Sequence, residues 1–352
     1  MELNELYEKL DWEELEEQVQ SLYPQWDISF YQTLKMIING EGKEAFSLIL
    51  EEAGKNLSLE WGSWKEIMIT IAAVILLSAI FAAFKDAFRN QQIADIAFYI
   101  NYLILIILHT RVFQSILETG ESTLIKIEEF MRLFFPAYFM ALGIAAGTTT
   151  GTVYYQLACL VIYGVEILLR AVLLPAISGY MLFSIMNGVW EEDRLELLLD
   201  IWKKGIKTLL KLLLGMLTGA GLIQSMITPV IDRIKGESIY KAVEAIPGVG
   251  EMTEGAMRIW LGSTVLIKNS VGIVSCILLL GMALAPLMKI AATGCMLKLI
   301  AAILGMIGNK RMIQFTNGAG EGVLLILQTI TYGILFFMVL IAITAYTTNG
   351  GF

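Results

Sequence analysis

Ionisable groups set inside long apolar stretches are the residues of this sequence best placed to do chemistry. Lys268 and Asn269 interrupt the apolar run Val265 to Ile273, and Glu166 and Arg170 follow a charge-free run from Leu133 to Val165. A charge in such a segment is costly, so it faces a bundle interior or water, or is neutralised by a neighbour. Glu166 and Arg170 are four residues apart, one above the other on a helix face, and can neutralise each other. At a turn between spans they would be solvated; within a continuous helix they would mark an interior or a conduit. Lys268 has three readings: a lysine snorkelling near a helix end, a hydrogen-bonded joint between helices, or a polar position lining a conduit.

The residues that catalysis or cofactor binding would need are scarce. His109 is the only histidine, which leaves little material for a zinc site or a histidine-dependent triad. Cys159, Cys276 and Cys295 sit in apolar segments without C-x-x-C spacing, and read as inert buried thiols. The run Asn317-Gly318-Ala319-Gly320-Glu321-Gly322 lacks the following Lys-Ser/Thr of a phosphate-binding loop, and is expected to be a flexible external or interfacial turn. No enzyme activity, cofactor or metal is therefore expected.

The elements that carry these positions are those of a polytopic membrane protein. The 352 residues are 57% hydrophobic and 16% charged, with a mean hydropathy of +0.68, far more apolar than an ordinary soluble domain. Residues 1–64 hold fourteen acidic and four basic side chains, a net charge of -10 against -8 for the whole chain. The acidity belongs to a head, and no basic patch with interleaved aromatics supports nucleic-acid binding. Helices are expected in this head over LYEKLDWEELEEQVQSLY, from Ile28 to Asn39 and from Lys43 to Lys55, punctuated by Gly40 and Gly42. The head is either a solvated acidic collar or a docking surface for another protein.

Residues 65–352 read as the membrane domain. Spans are expected over Ile67 to Phe84, Ile93 to His109, the run from Leu133, Thr152 to Asn187, Ile206 to Ile231, Asn269 to Met288, Pro286 to Gly308, and Val323 to Tyr346. The segment Thr152 to Asn187 is too long for one straight crossing, at about 54 Å of helix against a core of about 30 Å, and Pro175 with Gly179 supplies a break. Amphipathic connectors fall near 188–205 and 232–258. The basic loops at Lys85 to Arg89 and at Lys310-Arg311 belong inside, which puts the acidic head and both termini outside. The fold class is all-α: a polytopic transmembrane helical bundle of about eight spans with a small N-terminal extracytoplasmic helical region.

Glycines organise its packing. Gly143, Gly147 and Gly151 recur every fourth residue around Thr148-Thr149-Thr150, and Gly215 and Gly219 repeat the spacing; both sets suit close helix packing, and the first could instead be a bend between half-helices. Pro247, Gly248 and Gly250 form a joint that should break any helix before a new one starts near Glu251.

The region from this joint to Gly308 carries a resemblance. PGVGEMTEGA, then VLIKNSVGI at Val265 to Ile273 and KLIAAILGMIG at Lys298 to Gly308, together with FMRLFFPAYFMALGIAAG at Phe130 to Gly147 and IINGEG at Ile37 to Gly42, resemble the stage III sporulation protein AE family of endospore-forming bacteria over nearly the whole chain. Members of that family typically begin with a cleavable signal peptide. The opening Met1-Glu2-Leu3-Asn4-Glu5 has neither a basic nor an apolar signal region, so a start at a mature boundary, or a trimmed one, is expected.

The resemblance implies a component of the secretion or feeding channel that links mother cell and forespore, in the mother-cell membrane. It implies partners among the other stage III AA to AH proteins, including the AA ATPase, and the stage II protein Q complex, besides the lipid bilayer and a possible homo-oligomer. Lys268, Asn269, Glu166 and Arg170 would then lie along a path or at subunit contacts. The alternatives are a stand-alone small-solute permease and a non-conducting scaffold.

Overall fold

The computed structural model describes residues 28–59, 91–146, 148–189, 195–216, 250–307 and 310–347, with isolated positions between 16 and 80. All regular structure among them is helical: α1 Phe30–Ile38, α2 Gly42–Leu59, α3 Gln91–Ala146, α4 Thr148–Glu166, a π-helical stretch Ile167–Leu173, α5 Leu174–Val189, α6 over 196–216, α7 Gly250–Ile307 and α8 Lys310–Thr347.

The N-terminal pair is set by local chemistry. Ser29 caps α1, its hydroxyl accepting from the Gln32 amide at 3.2 Å. Asn39 ends the helix, and Gly40 takes φ +87°, a conformation that favours glycine, to turn the chain into α2. Both helices pack on α7, and Phe30, Leu34 and Ile49 belong to the same buried cluster as the long helices.

α7 and α8 form the principal antiparallel hairpin, with Gly272 beside Ile341 and Gly294 beside Leu324. α3 runs parallel to α8, as the pairing of Tyr102 with Phe315, Phe113 with Gly322 and Leu124 with Gly333 shows. α5 returns antiparallel to α8, placing Tyr180 by Gly322 and Ser184 by Gly318, and α6 docks on α5 through Trp202, whose indole N–H donates to the Ala176 carbonyl at 2.8 Å. Outward faces expose Ile100, Leu103, Leu160, Leu182 and Leu299. Apolar surface of that kind needs a covering, and helices of this length and composition suit a lipid one.

Four stretches among the described residues are long and apolar enough to cross a membrane: Tyr99–Pro136, Ala158–Gly188, Asn269–Gly305 and Lys310–Thr344. The expectation of about eight separate spans divides what the structure joins. Ile93 to His109 and the run from Leu133 share the 56-residue α3, while Asn269 to Met288 and Pro286 to Gly308 share the 58-residue α7. Two other expected spans, at 67–84 and 206–231, lie wholly or partly outside the continuously described residues.

Proline explains part of the difference. Pro136 and Pro286 stand inside continuous helices, and the break expected at Pro175 and Gly179 is absent, since α5 runs through both. A proline in an α-helix lacks its donor and its ring meets the carbonyl four residues back. Widening the helix over Ile167–Leu173, with the Leu174 N–H donating to the Leu169 carbonyl five residues earlier, carries the chain past Pro175 without a break.

Candidate functional site

The sequence-marked pair Glu166 and Arg170 sits where α4 passes into the π-helical stretch, and the structure joins it to α3. Arg170 reaches Glu166 at 3.3 Å, Glu128 at 3.3 Å and Glu121 at 3.9 Å. Arg132 closes the network from the other side, at 2.6 Å from Glu128 and 2.7 Å from Glu166. Glu128 is the buried centre, with 7% of its side chain exposed, and each of its carboxylate oxygens meets a different guanidinium. Two arginines thus clamp two buried or nearly buried carboxylates across the α3–α4 hairpin. The geometry is that of a hydrogen-bonded joint in which each charge faces opposite charges, with the buried Arg170 Nε left without a hydrogen-bond partner among the described residues.

A second ionic joint ties three helices together. Glu321 of α8 is held by Lys203 of α6 at 2.6 Å and by Lys298 of α7, whose ammonium also donates to the Asn317 carboxamide oxygen at 2.8 Å. Glu321 and Asn317 belong to the glycine-rich run expected to be a flexible turn. That expectation is corrected: the run lies within α8. A Cβ at Gly318 would collide with Ser184 of α5, one at Gly322 would stand 3.1 Å from Phe113 of α3, and one at Gly320 would stand 3.3 Å from Leu297 of α7. Residues four apart share a helix face, and the one between them points to the opposite side. α8 is therefore pressed from both sides where these glycines stand, so small residues are required for close approach rather than for a turn.

A third polar locus lies between α3 and α8. Asn101, His109 and Thr316 are each 1% exposed or less. His109 Nδ1 donates to the Leu105 carbonyl at 2.9 Å, since a carbonyl can only accept, and its ring packs on Phe315 with centroids 5.0 Å apart. Asn101 approaches the Met312 sulfur at 3.9 Å. Among the described residues, Asn101 Oδ1, His109 Nε2 and Thr316 Oγ1 have no hydrogen-bond partner.

The other residues marked by the sequence fall elsewhere. Lys268 lies on α7 with its side chain outside the described ones; Asn269 follows it, partly buried. Gly143 is on α3 and Gly151 on α4, with the surroundings of both outside the described residues, as are Gly147 and Gly219 altogether. A Cβ built at Gly215 meets no described atom within 4 Å. Of the joint, Pro247 and Gly248 lie outside the described residues and Gly250 begins α7. Sequence reasoning missed Arg132, Glu128, Lys203 and the role of Glu321, whose cross-helix partners are remote in the chain. For Arg132 and Glu128 the one available signal was their own i,i+4 spacing.

The family described as Stage III sporulation protein AE matches residues 28–348. A Bacillus subtilis (strain 168) protein, Stage III sporulation protein AE, is 22% identical over 285 residues, which cover 81% of this chain and 70% of that protein. No solved structure matches.

Proposed function

We infer that this chain, which belongs to the stage III sporulation protein AE family, is a non-catalytic, multi-pass component of the secretion or feeding channel between mother cell and forespore. In this reading it resides in the mother-cell membrane with its acidic N-terminal region outside the cytoplasm. It assembles there with other stage III sporulation proteins, an ATPase among them, and with the stage II protein Q complex from the forespore side. The observation that carries the reading is the family match over residues 28–348 on a chain with four apolar stretches of membrane-crossing length among its described residues.

The two ionic joints refine the role of the charged residues. Glu166 and Arg170 are engaged with Arg132 and Glu128, which favours their holding helices in register over their lining an open path. A bundle joined in this way suits a subunit that positions partners, whether or not solute passes through it. The alternatives remain a stand-alone small-solute permease and a non-conducting scaffold for the complex.

Deletion and complementation test the reading. An endospore-forming host lacking its own homologue should arrest with forespore gene expression lost, and this chain, expressed in the mother cell, should restore it. Normal spore yield in the deletion strain would overturn the proposal.

A further inference from the structure

A cavity of about 380 Å³ opens between α3 and α7, lined by none of the residues of the two ionic joints. Its α3 wall is a polar stripe, Ser115, Thr119, Ser122, Thr123 and Lys126, whose spacings of one and two turns put the side chains on one helix face. Facing it on α7 are Met282, Pro286 and Lys289. A volume of this size lies in the range of about 300–1,000 Å³ typical of small-molecule sites and exceeds the roughly 30 Å³ share of a single water.

Lys289 is the unusual member. Only 7% of the residue is exposed, it stands in an apolar helix, and among the described residues its ammonium forms no hydrogen bond or ion pair. A cation so placed needs a counter-charge. Glu118, the acid among the lining residues, is exposed and is not paired with it. Among the described residues no acid neutralises it, and an anion entering the cavity would do so.

The remaining lining groups fit an oxyanion. Lys126 brings a second cation to the opposite wall. Thr119 and Thr123 already donate to the carbonyls of Ser115 and Thr119, at 2.8 and 2.7 Å, whereas the hydroxyl protons of Ser115 and Ser122 are uncommitted among the described residues. Pro286 has no amide hydrogen, so the Met282 carbonyl lacks its usual donor four residues on and can accept from a protonated or hydroxylated part of the same molecule.

We propose that the cavity between the Ser/Thr stripe of α3 and the proline turn of α7 binds a small oxyanion, a carboxylate or phosphate group seated between Lys289 and Lys126. The group can belong to a free solute or to the headgroup of an anionic phospholipid. The site stands whether the chain conducts or only positions partners, so its failure would leave the functional reading untouched.

The test uses the full chain in neutral detergent, with its melting temperature followed against sodium phosphate and sodium acetate, each compared with sodium chloride at equal ionic strength. A parallel set places the protein in nanodiscs of phosphatidylglycerol or phosphatidylcholine. Stabilisation by phosphate or acetate identifies a free solute, and stabilisation by phosphatidylglycerol alone identifies a lipid headgroup. In either case Lys289→Met should weaken the apparent affinity at least tenfold, and Ser122→Ala severalfold. Ser122 is exposed, so its variant folds even if Lys289→Met does not. Absence of any anion-specific shift, a shift of equal size in both variants, or stabilisation by cations instead would overturn the proposal.

Discussion

Arg132 on α3 and Glu166 on α4 are 34 residues apart in the chain and 2.7 Å apart in space. Their contact locks the α3–α4 hairpin directly above the π-helical stretch that carries Arg170. Because Arg170 is less exposed than Arg132 and reaches three carboxylates, it should matter more. Arg170→Met is expected to destabilise the detergent-solubilised protein more than Arg132→Met. Both costs should fall between the ~0–1 kcal/mol of an exposed pair and the ~3–5 kcal/mol of breaking a buried one. Combining Arg132→Gln with Glu166→Gln should cost less than the sum of the single changes, because the two residues share one network. Thermal unfolding of these variants reads this directly; strict additivity would mean that the pair is not coupled.

The second joint predicts a different ranking. Removing Lys203 or Lys298 leaves Glu321 one cationic partner, whereas Glu321→Gln leaves two ammonium groups facing each other without a neutralising charge. The Glu321 variant should therefore melt below either Lys203→Gln or Lys298→Gln. The reverse order would show that the lysines act through their aliphatic stems and not through charge.

Glycine substitutions separate packing from spacing. Gly318→Ala must displace Ser184, and Gly188→Ala must displace the Tyr102 hydroxyl, which donates to the Ile185 carbonyl at 3.3 Å. Each should cost about 1–3 kcal/mol, the usual range for overpacking a close helix contact. Gly215→Ala, with no described atom within 4 Å of the added carbon, should be neutral or stabilising by up to about 1 kcal/mol through helix propensity. Melting temperatures of the three variants check the ranking, and a Gly215 variant as damaging as the other two would contradict it.

Much of this arrangement is written locally, and the sequence shows that part. Helical periodicity, membrane-length apolar runs and the i,i+4 spacing of Glu166 and Arg170 depend on neighbours in the chain. The turn at Gly40 was legible for the same reason. The partners of Glu166 and Arg170 were not, since Arg132 and Glu128 stand 34 and 42 residues away and nothing in their local pattern names the helix they will face. The run from Asn317 to Gly322 was misread because glycine serves turns and tight helix packing equally well. Only the presence of α5 on one side and α7 on the other decides between them. Pro175 misled similarly: a break and a π-helical widening both relieve its missing donor, and the choice is made by packing of the flanking helices.

Membership of a multiprotein sporulation channel is the central claim, and co-purification tests it most directly. A tagged copy of the chain, as the sole source of this protein in sporulating cells, would be extracted from crosslinked membranes and its companions identified by mass spectrometry. The account predicts that the chain is recovered from the membrane fraction together with other stage III sporulation proteins, and that this recovery falls when Arg170 and Glu321 are both neutralised. Recovery of the chain alone, from cells in which it supports sporulation, would contradict it.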